Sequence, residues 1–231
     1  MKTVIFTREA SDDVYNDDIT MDRLLNGERV IWKIWYDGDR RSLPTKAIEG
    51  DRFFILQKET GIVACGVVGN TDFKRGNAKL TSCGIVDIEL IPEKVSRPIL
   101  TIELLDKIMK VSKPSLNHSE LILDKKGLCF QLEELWLKAI VENNASKNSI
   151  PDDFWRLDRL NLMTADALHH SILTEHPVCP CCGGSLSNDD DLFYRPSLLK
   201  YTCKQITSYD ELKAQYVVLC KDCASIEDNL H

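Results

Sequence analysis

Two Cys-x-x-Cys steps constrain this chain more than anything else in it: Cys179-Pro180-Cys181-Cys182 and Cys220-Lys221-Asp222-Cys223. A tight turn after the first cysteine of each step brings the second thiolate back to the same point, so each step can place two sulfurs on one ion. Two such turns complete a tetrahedral four-thiolate site, which suits structural Zn2+ because it leaves no open position for water. Gly183-Gly184, directly after the first step, supplies the backbone freedom that such a turn requires. Cys181 offers a shifted register in which it replaces Cys182, and the Cys-x-x-Cys geometry selects Cys182. His176 lies three residues before Cys179, but four cysteines suffice, so His176 and the His169-His170 pair read as surface or packing residues. A disulfide framework is the other use of such cysteines. No targeting segment precedes Met1-Lys2-Thr3-Val4-Ile5-Phe6, so the chain is expected in the cytoplasm, where thiols stay reduced.

The 231 residues allow one large domain or two modest ones. No apolar run approaches the roughly 18 residues of a membrane span, so a soluble protein with no membrane partner is expected. Charge is placed unevenly. Residues 1–150 carry 22 Lys and Arg against 23 Asp and Glu, whereas residues 151–231 carry 7 against 13. The cysteine-rich part is thus the acidic part, and a four-thiolate zinc site would make it more negative still. That argues against its being the main grip on a phosphate backbone; the first domain is the better candidate for any nucleic-acid contact. Cys65, Cys83 and Cys129 fall in or beside apolar segments and read as core thiols.

Lys2–Thr7 predicts a first strand, rich in β-branched residues, and Met21–Leu25 a short helix stopped at Asn26-Gly27. Val30–Tyr36 alternates, with Val30, Trp32 and Ile34 on one face and Ile31, Lys33 and Trp35 on the other. Arg52–Gln57 and Ile62–Val68, separated by the turn Glu59-Thr60-Gly61, predict a buried hairpin, and Ile85–Ile91 a further strand. Thr101–Val111 has helical spacing. So does Cys129–Ile140, with Phe130, Leu132, Leu135, Trp136 and Ala139 as its apolar stripe. Several short strands with packed helices predict an α+β fold whose first domain, residues 1–143, is a curled β-barrel. Residues 144–175 read as a polar linker and connecting helix, and 176–231 as a small zinc-bound module.

Three segments of the first domain, taken in order, resemble one family. They are Leu25-Asn26-Gly27 leading to Trp35, Gly50-Asp51-Arg52-Phe53-Phe54-Ile55-Leu56, and Gly61-Ile62-Val63-Ala64-Cys65-Gly66-Val67-Val68. Gly127–Trp136 is similar to that family's closing helix. The family is the PUA-like (EVE-like) domain found at the N-terminus of modification-dependent, type IV restriction-like HNH endonucleases, and the resemblance covers about the first 140 residues. It implies a ββα-type HNH module built on the two cysteine steps. The family pattern puts a His-His step between those steps, an Asn five residues before the second and a His directly after it. On this chain the three positions hold Thr202-Cys203, Gln215 and Ala224, and no histidine lies between Cys182 and Cys223. An HNH enzyme needs an imidazole to activate water, so the module reads as catalytically degenerate.

The resemblance also implies a pocket in which a flipped, modified base stacks between aromatic faces. Trp32, Trp35 and Tyr36 are the candidates. Trp32 and Trp35 face opposite sides of a strand, so at most one lines the pocket, either could instead be core, and Trp35 matches the family position better. The aromatic segment that follows the family's first strand is replaced here by Thr7-Arg8-Glu9-Ala10, with Tyr15 as a substitute. Arg40-Arg41, Lys46, Lys74-Arg75 and Lys79 are candidate phosphate contacts or simply a solvated face. Trp136 and Trp155 read as core. Three functions follow: a reader of double-stranded DNA carrying a modified base, probed first with modified cytosine; a divergent nuclease using Asp189–Asp191 or Asp210 with a divalent ion; or a protein-interaction adapter. In the first, the zinc module serves as a homodimer or partner-docking piece.

Overall fold

The computed structural model describes residues 2–8, 16–36, 45–57, 61–75, 84–93, 120–123, 126–144, 162–194 and 208–228. They divide into two compact units, Met1–Cys129 and Phe130–His231. The first unit is built on a six-stranded mixed sheet. Its strands are β1 (Thr3–Arg8), β2 (Val30–Tyr36), β3 (Arg52–Gln57), β4 (Gly61–Arg75), β5 (Gly84–Pro92) and β6 (Glu120–Leu123), in the order β2-β5-β4-β3-β1-β6. Helix α1 (Asp18–Leu25) lies between β1 and β2 in the chain. The crossover through α1 and β2 lets β1 run parallel to β3, with Val4 opposite Phe53; every other pairing is antiparallel.

Alternation decides which side chains form the core. Val4 and Phe6 of β1, Trp32 and Ile34 of β2, Phe53 and Ile55 of β3, and Val86 and Ile88 of β5 form one buried cluster with Met21 and Leu24 of α1. Ile31 is exposed, one residue out of phase with Trp32. Helix α1 starts where Asp17 caps it, accepting from the Thr20 N–H at 2.8 Å, and stops at Gly27, whose φ of 82° only glycine adopts without strain.

The turn into β3 is the hub of the sheet. Gly50, at φ 86°, donates to the Val68 carbonyl at 2.8 Å, and Val68 returns a bond to the Asp51 carbonyl. The buried Asp51 carboxylate accepts from Lys2 N at 2.9 Å and Ile48 N at 3.1 Å, while Arg52 N donates to the Lys2 carbonyl. Gly-Asp-Arg therefore ties β1, β3 and β4 together. The Arg52 guanidinium is fully buried and is held by both Glu93 oxygens, the Gly66 carbonyl, Cys65 Sγ and the Phe54 ring. A buried cation persists only with such pairing.

Gly66 shows how closely β4 packs. A Cβ there would lie 2.7 Å from Phe53 Cε1 and from Pro92 Cα, and closer still to the Ile91 carbonyl oxygen. Two of those neighbours are backbone and cannot swing aside. Gly66→Ala is expected to destabilise the unit by about 3 kcal/mol, the upper part of the overpacking range, with a lowered urea midpoint as the readout.

The expected barrel does not form among the described residues: the sheet is open, with β2 and β6 at its edges. The reason is visible at β2. Closure would require a strand to bond its outer edge, but the buried Asn16 side chain takes that place at Lys33, accepting from Lys33 N at 2.8 Å and donating to its carbonyl at 2.9 Å. Arg8 fixes Asn16 in turn, donating to its carbonyl at 3.0 Å and pairing with Asp18 at 2.6 Å. The sheet bends instead at two register shifts, Ile55/Leu56 and Val68/Thr71.

The second unit contains most of α2 (Lys126–Asn144), then α3 (Leu162–Glu175), the hairpin β7 (Asp191–Tyr194) with β8 (Tyr216–Leu219), α4 (Tyr209–Lys213) between those strands, and α5 (Lys221–Asp228). Leu132 and Trp136 of the α2 stripe are buried as its spacing predicts, whereas Leu135 is 37 % exposed. The buried Glu133 accepts from Thr164 of α3 at 3.1 Å. The predicted helix at Thr101–Val111 lies outside the described residues, as do Cys83, Cys203 and Trp155. No helix among the described residues is long and apolar enough to cross a membrane.

Candidate metal centre

Residues 177–186 fold back on themselves. Leu186 N donates to the Pro177 carbonyl at 2.9 Å, Val178 bridges Ser185, and Cys179 N donates to the Gly184 carbonyl at 2.7 Å. Gly183 closes the turn by donating to the Cys179 carbonyl at 2.8 Å, at φ 74°. This knuckle presents Cys179 and Cys182. The other two sulfurs come from the end of β8 and the start of α5: Cys220 follows the last β8 residue, and Cys223 sits in the first turn of the helix, with Ala224 N on the Cys220 carbonyl at 2.8 Å. A strand pair and a helix thus deliver one Cys-x-x-Cys step, and a turn the other.

The four Sγ atoms all lie within 4.8 Å of one another, with Cys182 and Cys220 3.6 Å apart. A tetrahedral zinc–thiolate site with bonds of about 2.3 Å has sulfurs separated by roughly 3.8 Å, so the spacing fits an ion and is far too long for a disulfide. Cys181 stays outside this cluster and is exposed. His176, also exposed, is outside it too.

Electrostatics explain why the cluster suits a cation. Burial opposes ionisation of Cys179, but the backbone N–H groups of Cys220, Cys182 and Cys181 outweigh it and draw the thiol down to about 6. Cys223 is pushed well above the ordinary thiol range, first by its hydrogen bond with Cys220 and then by burial. The Cys223 N–H lowers Cys220, but burial and the thiols of Cys182 and Cys179 more than reverse this. One thiolate forms readily and resists the next; a bound dication would let all four ionise. The four cysteines could hold a metal ion, and an all-thiolate donor set favours a soft or borderline one such as zinc.

The nucleic-acid candidates fare differently. Trp32 is 1 % exposed, its ring 6.3 Å from that of Phe6, so neither face is open to a stacked base. Trp35 and Tyr36 belong to β2, opposite Ile85 and Gly84. Tyr15, Arg40, Arg41 and Lys79 lie outside the described residues. Lys46 is exposed beside the buried Thr45 and Ala47, and Lys74 and Arg75 end β4. Ala224 is buried in the small core around the cysteines, and Gln215 donates to the Glu211 carbonyl at 3.1 Å. Thr202 lies outside the described residues. Asp189, Asp191 and Asp210 are exposed, and none belongs to the metal-capable group. Asn16 and Arg8 carry no sequence signal of their bonds to Lys33 and Asp18. Their roles depend on β2 arriving beside them, and the only local signal is the helix cap that follows at Asp17.

No family model matches the chain, and no curated protein matches it.

Proposed function

We propose that this chain is a DNA-binding protein whose first unit reads a flipped, modified base, and whose second unit is a zinc-stapled, HNH-like module without nuclease chemistry. The observation that carries this reading is the way the resembling segments fall. Trp35, Gly50-Asp51-Arg52 and Gly61–Val68 occupy β2, the turn into β3, and β4 of a single sheet. The Gly-Asp-Arg run acts there as scaffold, with Asp51 and Arg52 consumed by internal bonds, so base recognition falls to Trp35 and Tyr36 of the edge strand. An open sheet with a strand edge and a near-balanced charge in residues 1–150 suits DNA better than the acidic second unit does.

The zinc, when bound, offsets half of the charge of the four thiolates and fixes the knuckle against the β7–β8 hairpin and α5; it does no chemistry on DNA. No imidazole stands where the HNH pattern would use one: Ala224 and Gln215 occupy two of those positions, and no histidine lies between Cys182 and Cys223. The test is an electrophoretic shift on matched duplexes, unmodified against 5-methyl- and 5-hydroxymethylcytosine, with Mg2+ or Mn2+ present. The expected result is a shift that depends on modification and leaves the DNA intact. Equal affinity for all three duplexes would overturn the reader, and cleavage would overturn the degenerate nuclease.

A further inference from the structure

The second unit holds a cavity of about 610 Å³ beside the metal centre. One wall is the C-terminal end of α3, the second is the cysteine knuckle, and the third is formed by α4 and β8. Its volume lies in the range of cavities that take ligands or short peptide side chains. Half-buried Leu186 lines it, over the buried Ile172 and Val217. Val178, on the knuckle wall, is 51 % exposed, although its chain neighbour Cys179 is buried. An apolar side chain held open by a stapled turn is available for a partner rather than for the core.

The rim is charged, and with one sign in excess. Glu175 and Asp210 both stand there with His176, and Lys213 between them pairs with both carboxylates, leaving one carboxylate charge in excess over that lysine. Asp210 keeps 92 % of its side chain exposed. Residues 151–231 as a whole carry 13 acids against 7 bases, a field that draws in cations and repels phosphate backbones. We infer that this groove is a docking site for a basic, amphipathic peptide segment of a partner protein, apolar side chains against Val178 and Leu186, lysine or arginine on Glu175 and Asp210.

The knuckle wall explains what the metal is for. Val178, Pro180 and Leu186 flank or interleave with Cys179 and Cys182, so an ion on the four sulfurs fixes the wall as well as the fold. Metal and peptide are then linked: whatever the metal does for peptide affinity, the peptide does for metal affinity. The inference stands apart from the DNA reading, since it involves neither β2 nor a base.

Fluorescence anisotropy on the full, zinc-loaded chain tests it. The probe is a short labelled peptide of alternating leucine and lysine, with the leucine–glutamate peptide as its counterpart. The expected result is saturable binding of the lysine peptide only, weakened about tenfold by Val178→Asp and by Asp210→Lys, the equivalent of ~1.4 kcal/mol. Both positions are exposed, so the variants should keep their zinc content and thermal midpoint. Stripping the zinc with a chelator should weaken binding at least as much. Equal affinity of both variants and the wild type, or equal binding of the two peptides, overturns the inference. So does a wild-type dimer in sedimentation velocity that Val178→Asp dissolves, because the groove would then belong to a second copy.

Discussion

Cys179→Ala is expected to abolish stoichiometric metal binding and to unfold the knuckle, residues 177–186, and α5 while the six-stranded sheet persists. The apolar core around the cysteines explains the severity. It consists of Cys179, Val217, Leu219 and Ala224, with Leu186, Phe193, Cys220 and Cys223 partly buried against them, and three of the metal-capable cysteines are thus part of the core itself. Without the metal, the knuckle and α5 are tied to β8 through that cluster alone among the described residues, too little to offset the entropy of ordering them. Structural zinc contributes about 10–16 kcal/mol in small four-ligand domains, comparable with the whole stability of an ordinary domain. Elemental analysis should find about one zinc per chain in the wild type and none in the variant, and amide spectra should show collapse confined to the second unit. Cys181→Ala should behave as wild type, because Cys181 lies outside the cluster. Acid should release the metal, since protons compete for the four thiolates and win as the pH falls. A Cys179→Ala chain that keeps its zinc, or a Cys181→Ala chain that loses it, would show that the ligand set is different.

Trp32→Ala is expected to cost about 3–5 kcal/mol of unfolding free energy, the range for emptying a buried tryptophan site. Trp32 packs against Phe6 in the cluster that joins the sheet to α1, and Val4, Phe53 and Leu24 belong to the same core. Urea unfolding would read the loss directly. DNA binding by this variant should fall only in proportion to the fraction unfolded. The proposed reader assigns the opposite behaviour to Trp35→Ala. Affinity for the modified duplex should fall about tenfold or more, because the flipped base no longer has an aromatic face to stack on. Its urea midpoint should move little. If Trp32→Ala folds normally and loses selectivity while Trp35→Ala binds as wild type, the two tryptophans have exchanged roles and the assignment fails.

Much of the molecule was legible in its sequence because the signals are local. Period-two alternation placed Val30, Trp32 and Ile34 on one face, and the buried side of β2 is that face. The hairpin β3–β4, the strand β5 and the stop of α1 at Asn26-Gly27 follow from turn residues and β-branched runs. The four cysteines followed from spacing, since a Cys-x-x-Cys turn brings its two sulfurs together whatever the rest of the chain does.

What failed was whatever depends on segments remote in sequence. The barrel was expected from a count of strands, but openness is decided at an edge. There Asn16, held by Arg8, spends its amide on the Lys33 backbone and denies that edge to another strand. Neither interaction can form until β1 and β2 are in place. The groove beside the metal centre is likewise invisible in the sequence, because Ile172, Val178, Asp210 and Val217 meet only after α3, the knuckle, α4 and β8 have packed. Periodicity and short spacing were thus enough for the strands and helices, the inward face of β2 and the four metal-capable cysteines. Packing settled the rest: that the sheet stays open among the described residues, that Asp51 and Arg52 are committed to internal bonds, and that an exposed valine becomes the wall of a cavity. Those outcomes are set by long-range burial and by competition for backbone hydrogen bonds, which no short stretch of residues contains.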